Sequence, residues 1–223
     1  MKVLESVQSV SRLRVLIATM LVAASSAAIA EPHLIYLPSA EAGVDHDAIV
    51  QALDKQGFEV TTLANAGENR LAYAKRIAKE VRALMAQGVP ADDISVVGAG
   101  TSSAVAALTS ARVGDRHVNY VLLGQCDPIL KAEYNFRMSG RVLGIHDDGD
   151  SASLSCRSLW IGSPKVSDRQ EIVLDTGFGA TLFHEPRAQW VQPLVEWSNG
   201  GRVNVGEGAR VTQVDEPAPK NTR

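Results

Sequence analysis

Hydroxyls, histidines and carboxylates stand at spacings that could support acyl transfer. Thr101, Ser102 and Ser103 follow the glycine turn Val96-Val97-Gly98-Ala99-Gly100. A hydroxyl at a helix start acts either as a nucleophile or as an N-cap. His146 precedes Asp147-Asp148-Gly149-Asp150, and His184 precedes Glu185-Pro186. A hydrolytic relay needs a nucleophile, a base and an orienting acid in mutual contact. This chain offers Ser102 or Thr101 as a nucleophile and His184 as a base. The plainer readings are capping for the hydroxyls, a surface or capping role for His184, and orientation of the Asp147–Asp150 loop for His146. The aspartates also suit a calcium ion, which favours several oxygen ligands, or a solvated turn. No His/Cys set has zinc spacing, and no cofactor is expected.

The turn at Gly98 lies between an apolar strand and a small-residue helix. Two devices live in such turns. Gly98, Gly100 and Ser103 occupy the three glycine places of G-x-G-x-x-G, the dinucleotide fingerprint. The third glycine is absent, and no acid ends the next strand, where Leu123-Gly124-Gln125-Cys126 precedes Asp127. The other device is the nucleophile elbow, G-x-S-x-G, in which a strained turn lifts a serine over a helix N-terminus. Gly98 fits its first glycine, but Gly100 stands at the nucleophile and Ser102 at the last glycine.

The surrounding pattern is α/β. His33–Leu37 reads as a first strand ended by Pro38, and Asp45 caps a helix to about Lys55. Phe58–Leu63 is a second strand. Glu68–Gln87 is a helix with Leu71, Ala74, Ile77, Val81 and Leu84 on one face. Ile94–Val97, Val118–Leu123, Val142–Ile145 and Ile172–Leu174 are further strands. Ser102–Ala111, Leu154–Trp160 and Arg187–Trp197 read as helices. Apolar strands alternating with helices imply a parallel sheet covered on both faces. The expected fold is a three-layer α/β sandwich with about six strands in the order 2-1-3-4-5-6. Its crevice lies between the first and third strands.

The whole chain carries a net charge of −3, with 22 basic and 25 acidic residues and few aromatics. That balance, without a basic cluster, argues against nucleic acid. Lys2, Arg12 and Arg14, the apolar run Val15–Val22 and Ala28-Ile29-Ala30 read as a signal peptide over residues 1–30. The alternative is an uncleaved anchor; no later stretch is long and apolar enough to span a bilayer. The expected location is the periplasm or outside the cell. There, Cys126 and Cys156 more often form a disulfide than a metal or redox site. It would close a loop of about thirty residues and contribute roughly 3–4 kcal/mol by chain entropy. Two buried thiols are the other reading. Residues 199–223, with Pro217-Ala218-Pro219, read as a mobile tail after a domain at 31–198.

Several segments resemble a branch of small bacterial α/β-hydrolase-fold proteins. They are Gln56-Gly57-Phe58-Glu59-Val60, Ala72-Tyr73-Ala74, Gly88-Val89-Pro90, Ile94–Gly98 and Glu171–Gly179, followed by Trp190, Val191 and Trp197. The resemblance implies Gly-Ala-Ser-Lys-Gly at the elbow, where this chain has Gly98-Ala99-Gly100-Thr101-Ser102. It implies an acid four residues after a histidine, which selects Asp150. It implies Thr-Gly-x-Gly-His after the last strand, where this chain has Thr176-Gly177-Phe178-Gly179-Ala180. The His-Gly before the oxyanion turn is here Leu37-Pro38, and Pro38 has no N–H to give. Glycine therefore holds the nucleophile's place and alanine the base's. Leu37, Pro38 and Thr101 are expected to line the crevice. The expectation is an exported pseudoenzyme that binds a small molecule or a protein there. An active esterase-type site built from Ser102 or Thr101, His184 and Asp150 is the alternative.

Overall fold

The strands Ile94–Ala99 and Asn119–Leu123 are buried at every position, which requires helices on both faces of the sheet. The computed structural model describes residues 31–204 and 209–212. The chain runs β1 (His33–Leu37), α1 (His46–Asp54), β2 (Glu59–Thr62), α2 (Arg70–Ala86), β3 (Ile94–Ala99) and α3 (Ser103–Val113). It continues through β4 (Asn119–Leu123), α4 (Leu130–Tyr134), β5 (Ser139–Asp147), α5 (Arg157–Trp160), β6 (Lys165–Leu174), α6 (Ala188–Ser198) and β7 (Ala209–Thr212). Short 3-10 turns occupy Gly100–Ser102 and Gly179–His184.

The sheet order is β2-β1-β3-β4-β5-β6-β7. The first six strands are parallel and follow the expected order. The direction of winding reverses between β1 and β3, which opens a crevice at their carboxyl ends. One face packs on α2 and α3 through Tyr73, Ile77, Val81, Val105 and Leu108. The other packs on α1 and α6 through Ile49, Leu53, Trp190, Leu194 and Trp197. Cap chemistry sets the helix starts. Asp45 Oδ1 accepts from Ala48 N at 2.9 Å, and Asn69 Oδ1 from Ala72 N at 2.9 Å. Glu68 lies outside α2 because Asn65 and Glu68 close a turn of their own.

Three differences from the sequence pattern matter. Among the described residues the sheet has seven strands rather than about six. The seventh, Ala209–Thr212, pairs antiparallel with β6 and lies in the stretch expected to be a tail. β5 and β6 extend well beyond their apolar centres, because their polar residues have fixed partners. Gln170 Oε1, for example, accepts from Val203 N at 3.0 Å. α5 begins at Arg157, whose N–H is taken by Ser155 Oγ at 3.2 Å, rather than at Leu154. Residues 1–30, the expected signal, lie outside the described residues. Among the described residues no helix is long and apolar enough to cross a membrane.

Candidate functional site

The crevice is built on the turn from β3 into α3. A Cβ on Gly98 would stand 2.8 Å from the carbonyl carbon of Ser102 and 2.9 Å from Ser103 Cα. Only glycine lets the helix start lie this close to the strand end. Gly100 adopts φ +52°, a left-handed conformation that glycine takes without strain and a residue with a Cβ would not. Ser103 Oγ is buried 2.9 Å from both Gly98 O and Leu123 O, so it ties β3 to β4. Its role is structural. Ser102 Oγ donates to Pro38 O at 2.7 Å, tying the elbow to the end of β1.

The space in front of Gly100 is occupied. A Cβ there would lie 2.6 Å from Ser39 Oγ and 2.7 Å from Glu41 Oε1. Ser39 Oγ accepts from Glu41 N at 3.2 Å, which folds the post-β1 loop over the turn. Glu41 Oε2 lies 3.6 Å from His184 Nε2, and Asp45 N donates to His184 O at 2.8 Å. The loop after β1 and the turn after β6 are thereby clasped above Gly100. A hollow of about 20 Å³ remains. It has room for about one water. Gly100, Asp150, Ala180 and His184 all line it, with Ser39 and Glu41. The three positions that the resemblance selects for nucleophile, acid and base therefore converge on one small space.

The side chains proposed for a rearranged relay are engaged elsewhere. Ser102 is spent on Pro38, Thr101 is exposed, and the His184 ring faces Glu41. Asp150 Oδ1 accepts from Ala152 N at 2.9 Å. Among the described residues no hydrogen bond joins Ser102 or Thr101 to His184. Leu37 does not line the crevice: alternation along β1 turns it into the core beneath α2 and α3, where it is wholly buried. Pro38 contributes its carbonyl, to Ser102.

The aspartate cluster divides its work. Asp147 ends β5 and is buried. Its Oδ1 accepts from Gly149 N at 2.9 Å and Gly179 N at 3.2 Å. Its Oδ2 accepts from Thr176 N at 3.2 Å and Thr176 Oγ1 at 2.5 Å. This carboxylate holds the Thr176–Gly179 turn, where a base would follow. Asp148 pairs with Arg210 at 2.9 Å. The side chains thus diverge, and among the described residues no group of His, Cys, Asp and Glu is placed to hold a metal ion. His146 does not orient this loop. It lies on the opposite face of β5, with Nδ1 3.7 Å from Glu171 Oε1. Glu171 accepts from Cys156 N at 2.6 Å and Ser155 Oγ at 2.8 Å, anchoring the loop that carries the disulfide.

Cys126 and Cys156 are bonded, with Cα atoms 4.9 Å apart. The bridge joins the loop after β4 to the loop after β5. A cleft of about 170 Å³ lies between these loops and the elbow. Arg70, Thr101, Gln125, Asp127, Pro128 and Leu154 form much of its wall, and Gly100 and Gln125 border both spaces. The sequence pattern did not point to Ser39 or Glu41, and it offered Asp147 only as one of an aspartate cluster. The first two reach the site only because two loops cross. Asp147 had a signal: it closes an otherwise apolar strand.

The architecture is shared with solved hydrolases. A sugar hydrolase, YeeB, from Lactococcus lactis aligns with TM-score 0.54 and 12% identity, over 76% of this chain and 89% of its own. RedJ, a thioesterase of the prodiginine biosynthetic pathway in Streptomyces coelicolor, aligns with TM-score 0.52 and 11% identity, over 76% and 85%. A RedJ structure with a polyethylene glycol molecule in its active site gives TM-score 0.51 and 11% identity, over 77% and 90%. The fold is that of the α/β hydrolases. A scan of protein-family models and a search of curated proteins found no match. Likeness at this identity speaks for the α/β-hydrolase architecture and not for a substrate.

Proposed function

We propose that this chain is an α/β-hydrolase-fold protein without Ser-His-Asp catalysis, and that it binds a small molecule in the crevice beside Gly100. The observation that carries the reading is the occupied space at Gly100. The nucleophile's place has no side chain, and Ser39 and Glu41 stand where one would begin. Alanine at position 180 leaves no proton acceptor at the base's place. Loss of either group costs an enzyme of this type several powers of ten in rate, and the losses do not add. The rearranged relay of Ser102 or Thr101, His184 and Asp150 is disfavoured because Ser102 and the His184 imidazole have other partners and, among the described residues, no hydrogen bond joins His184 to Thr101.

Binding is supported by the cleft beside the elbow. It is concave and mixed in character, with apolar walls and a few convergent polar groups, as small-molecule sites are. Its modest volume favours a small ligand over a protein segment. We place the protein in the periplasm or outside the cell, on the strength of the signal-like N-terminus and the buried disulfide. The test is turnover of p-nitrophenyl acetate and butyrate by the purified, oxidised chain lacking residues 1–30. The expected rate is that of the heat-denatured control. Saturable hydrolysis at enzyme-like kcat would overturn the reading.

A further inference from the structure

The hollow above Gly100 adjoins the larger cleft, since Gly100 and Gln125 line both. The ionisable side chains of the joint space are unequal in sign. Three carboxylates, Glu41, Asp150 and Asp127, stand against one guanidinium, Arg70, and one imidazole, His184. Arg70 does not reverse that balance, because Asp127 Oδ2 and Glu133 Oε2 lie 3.7 and 3.9 Å from its Nη1. A concave wall of one prevailing sign concentrates the opposite charge, and the attraction is screened less there than on an open surface. The space therefore favours a cation over an anion.

Hydrogen-bond accounting points the same way. Ser39 Oγ and Glu41 Oε1 converge on the hollow, 2.6 and 2.7 Å from the point where a Cβ on Gly100 would lie. Glu41 meets His184 through its other oxygen, Oε2, at 3.6 Å, an ion-pair distance longer than a hydrogen bond. Asp150 takes Ala152 N on Oδ1. Among the described residues no protein donor is hydrogen-bonded to Glu41 Oε1 or Asp150 Oδ2. Ser39 is 7% exposed, and its Oγ takes one donor, Glu41 N, at 3.2 Å, which leaves a second lone pair. A space rich in acceptors and short of donors matches a group made of donors. An alkylammonium has three N–H donors, no acceptor and the charge that these walls attract.

Size narrows the class. The hollow, about 20 Å³, has room for a group the size of one water, so it admits a primary ammonium and excludes a quaternary one. The adjoining cleft, about 170 Å³, is of the size that takes a benzene ring, and Ala104, Pro128, Ala152 and Leu154 give it apolar wall. We infer that the ligand is a compact primary amine, its ammonium in the hollow among Ser39, Glu41 and Asp150 and its neutral body in the cleft. This inference rests on the ligand-binding reading above and names the class of ligand. No bond is made or broken.

The experiment is calorimetric titration of the oxidised chain lacking residues 1–30, which keeps every described residue, with benzylamine, benzyl alcohol, benzyltrimethylammonium and benzoate. Benzylamine should bind saturably, one per chain, and at least tenfold tighter than the other three. The alcohol lacks the charge, the quaternary ion lacks the N–H donors and overfills the hollow, and benzoate has the wrong sign. Glu41→Gln and Asp150→Asn keep the side-chain shape and remove the charge, and each should weaken benzylamine at least fivefold. An unaltered melting temperature separates lost binding from lost folding. Should Glu41→Gln loosen the loop clasp, Asp150→Asn carries the test. Absence of saturable benzylamine binding, or affinity within twofold of the parent in both variants, would overturn the inference. Benzyl alcohol or benzoate binding as tightly as benzylamine would overturn the amine class and leave the ligand-binding reading intact. Enzyme-like turnover of p-nitrophenyl acetate, inhibited by benzylamine in the parent and not in Asp150→Asn, would overturn the non-catalytic reading and leave the ligand class intact.

Discussion

On the proposed reading, Gly100 keeps the backbone position of a nucleophile without its atoms. The atoms crowding it are side-chain ends, so a larger residue fits only after Ser39 rotates and Glu41 releases His184. Gly100→Ser should therefore fold, at a cost of about 1–3 kcal/mol from the left-handed backbone and the broken clasp. It should also stay inactive, because Ala180 still offers no base. Denaturant midpoints and ester turnover check the two halves. Asp147 makes the complementary point. Its carboxylate satisfies donors from three residues, Gly149, Thr176 and Gly179. Asp147→Ala should cost on the order of 3 kcal/mol, since hydrogen bonds to a buried charge are the strong ones and their donors would be orphaned. Hydrogen exchange should rise first at residues 176–179. An unchanged exchange rate there would contradict the role assigned to it.

Elements are held at the site by a few polar fasteners. Arg141 of β5 is mostly buried, which pulls its pKa below the usual arginine value. It donates to Asn119 Oδ1 and Trp197 O at 2.9 Å and to Gly201 O at 2.7 Å, with its guanidinium 4.2 Å from the Trp197 ring centre. One side chain thus links β4, β5 and the end of α6. Arg141→Ala should lower stability by about 2–4 kcal/mol, read from urea unfolding. The disulfide spans a sequence separation of 30 and joins two walls of the cleft. Reduction should cost about 3–4 kcal/mol by the loop-closure argument. Where the periodicity was strong the elements were legible. β1, β3, β4 and α2 follow from apolar spacing alone. The ends of β5 and β6 were hidden because Arg141, Gln170 and Glu171 look like surface residues until their partners are known. β7 has four residues, too few for their alternation to announce a strand. Ser39 and Glu41 were illegible for a different reason: a loop's contacts depend on where the sheet order brings its ends.

At the scale of the molecule, burial governs the alkaline limit of stability. Desolvation pushes the Tyr73 hydroxyl up to about 12 and raises Tyr36 and Tyr120 further. The folded state thus holds these phenols neutral while the unfolded chain ionises near pH 10. A raised folded pKa gives stability that is fully present below pH 10 and lost as pH rises towards 12 and beyond. Phenolate absorbance at 295 nm should lag behind model tyrosine and then rise together with unfolding. Early, non-cooperative ionisation of all four tyrosines would contradict the burial. The same packed sheet that shields these phenols also holds the turn at Gly100. On the proposed reading geometry and reactivity have parted company: the α/β-hydrolase-like architecture is present, with glycine at position 100 and alanine at position 180 where the resemblance implies reacting groups.

The most direct test of that claim is labelling of the oxidised chain lacking residues 1–30 with a fluorophosphonate probe, read by mass spectrometry. No adduct is expected on any hydroxyl, including Ser39, Thr101 and Ser102, under conditions that fully label a serine esterase. A stoichiometric adduct on one of these residues, abolished by its alanine variant, would contradict it.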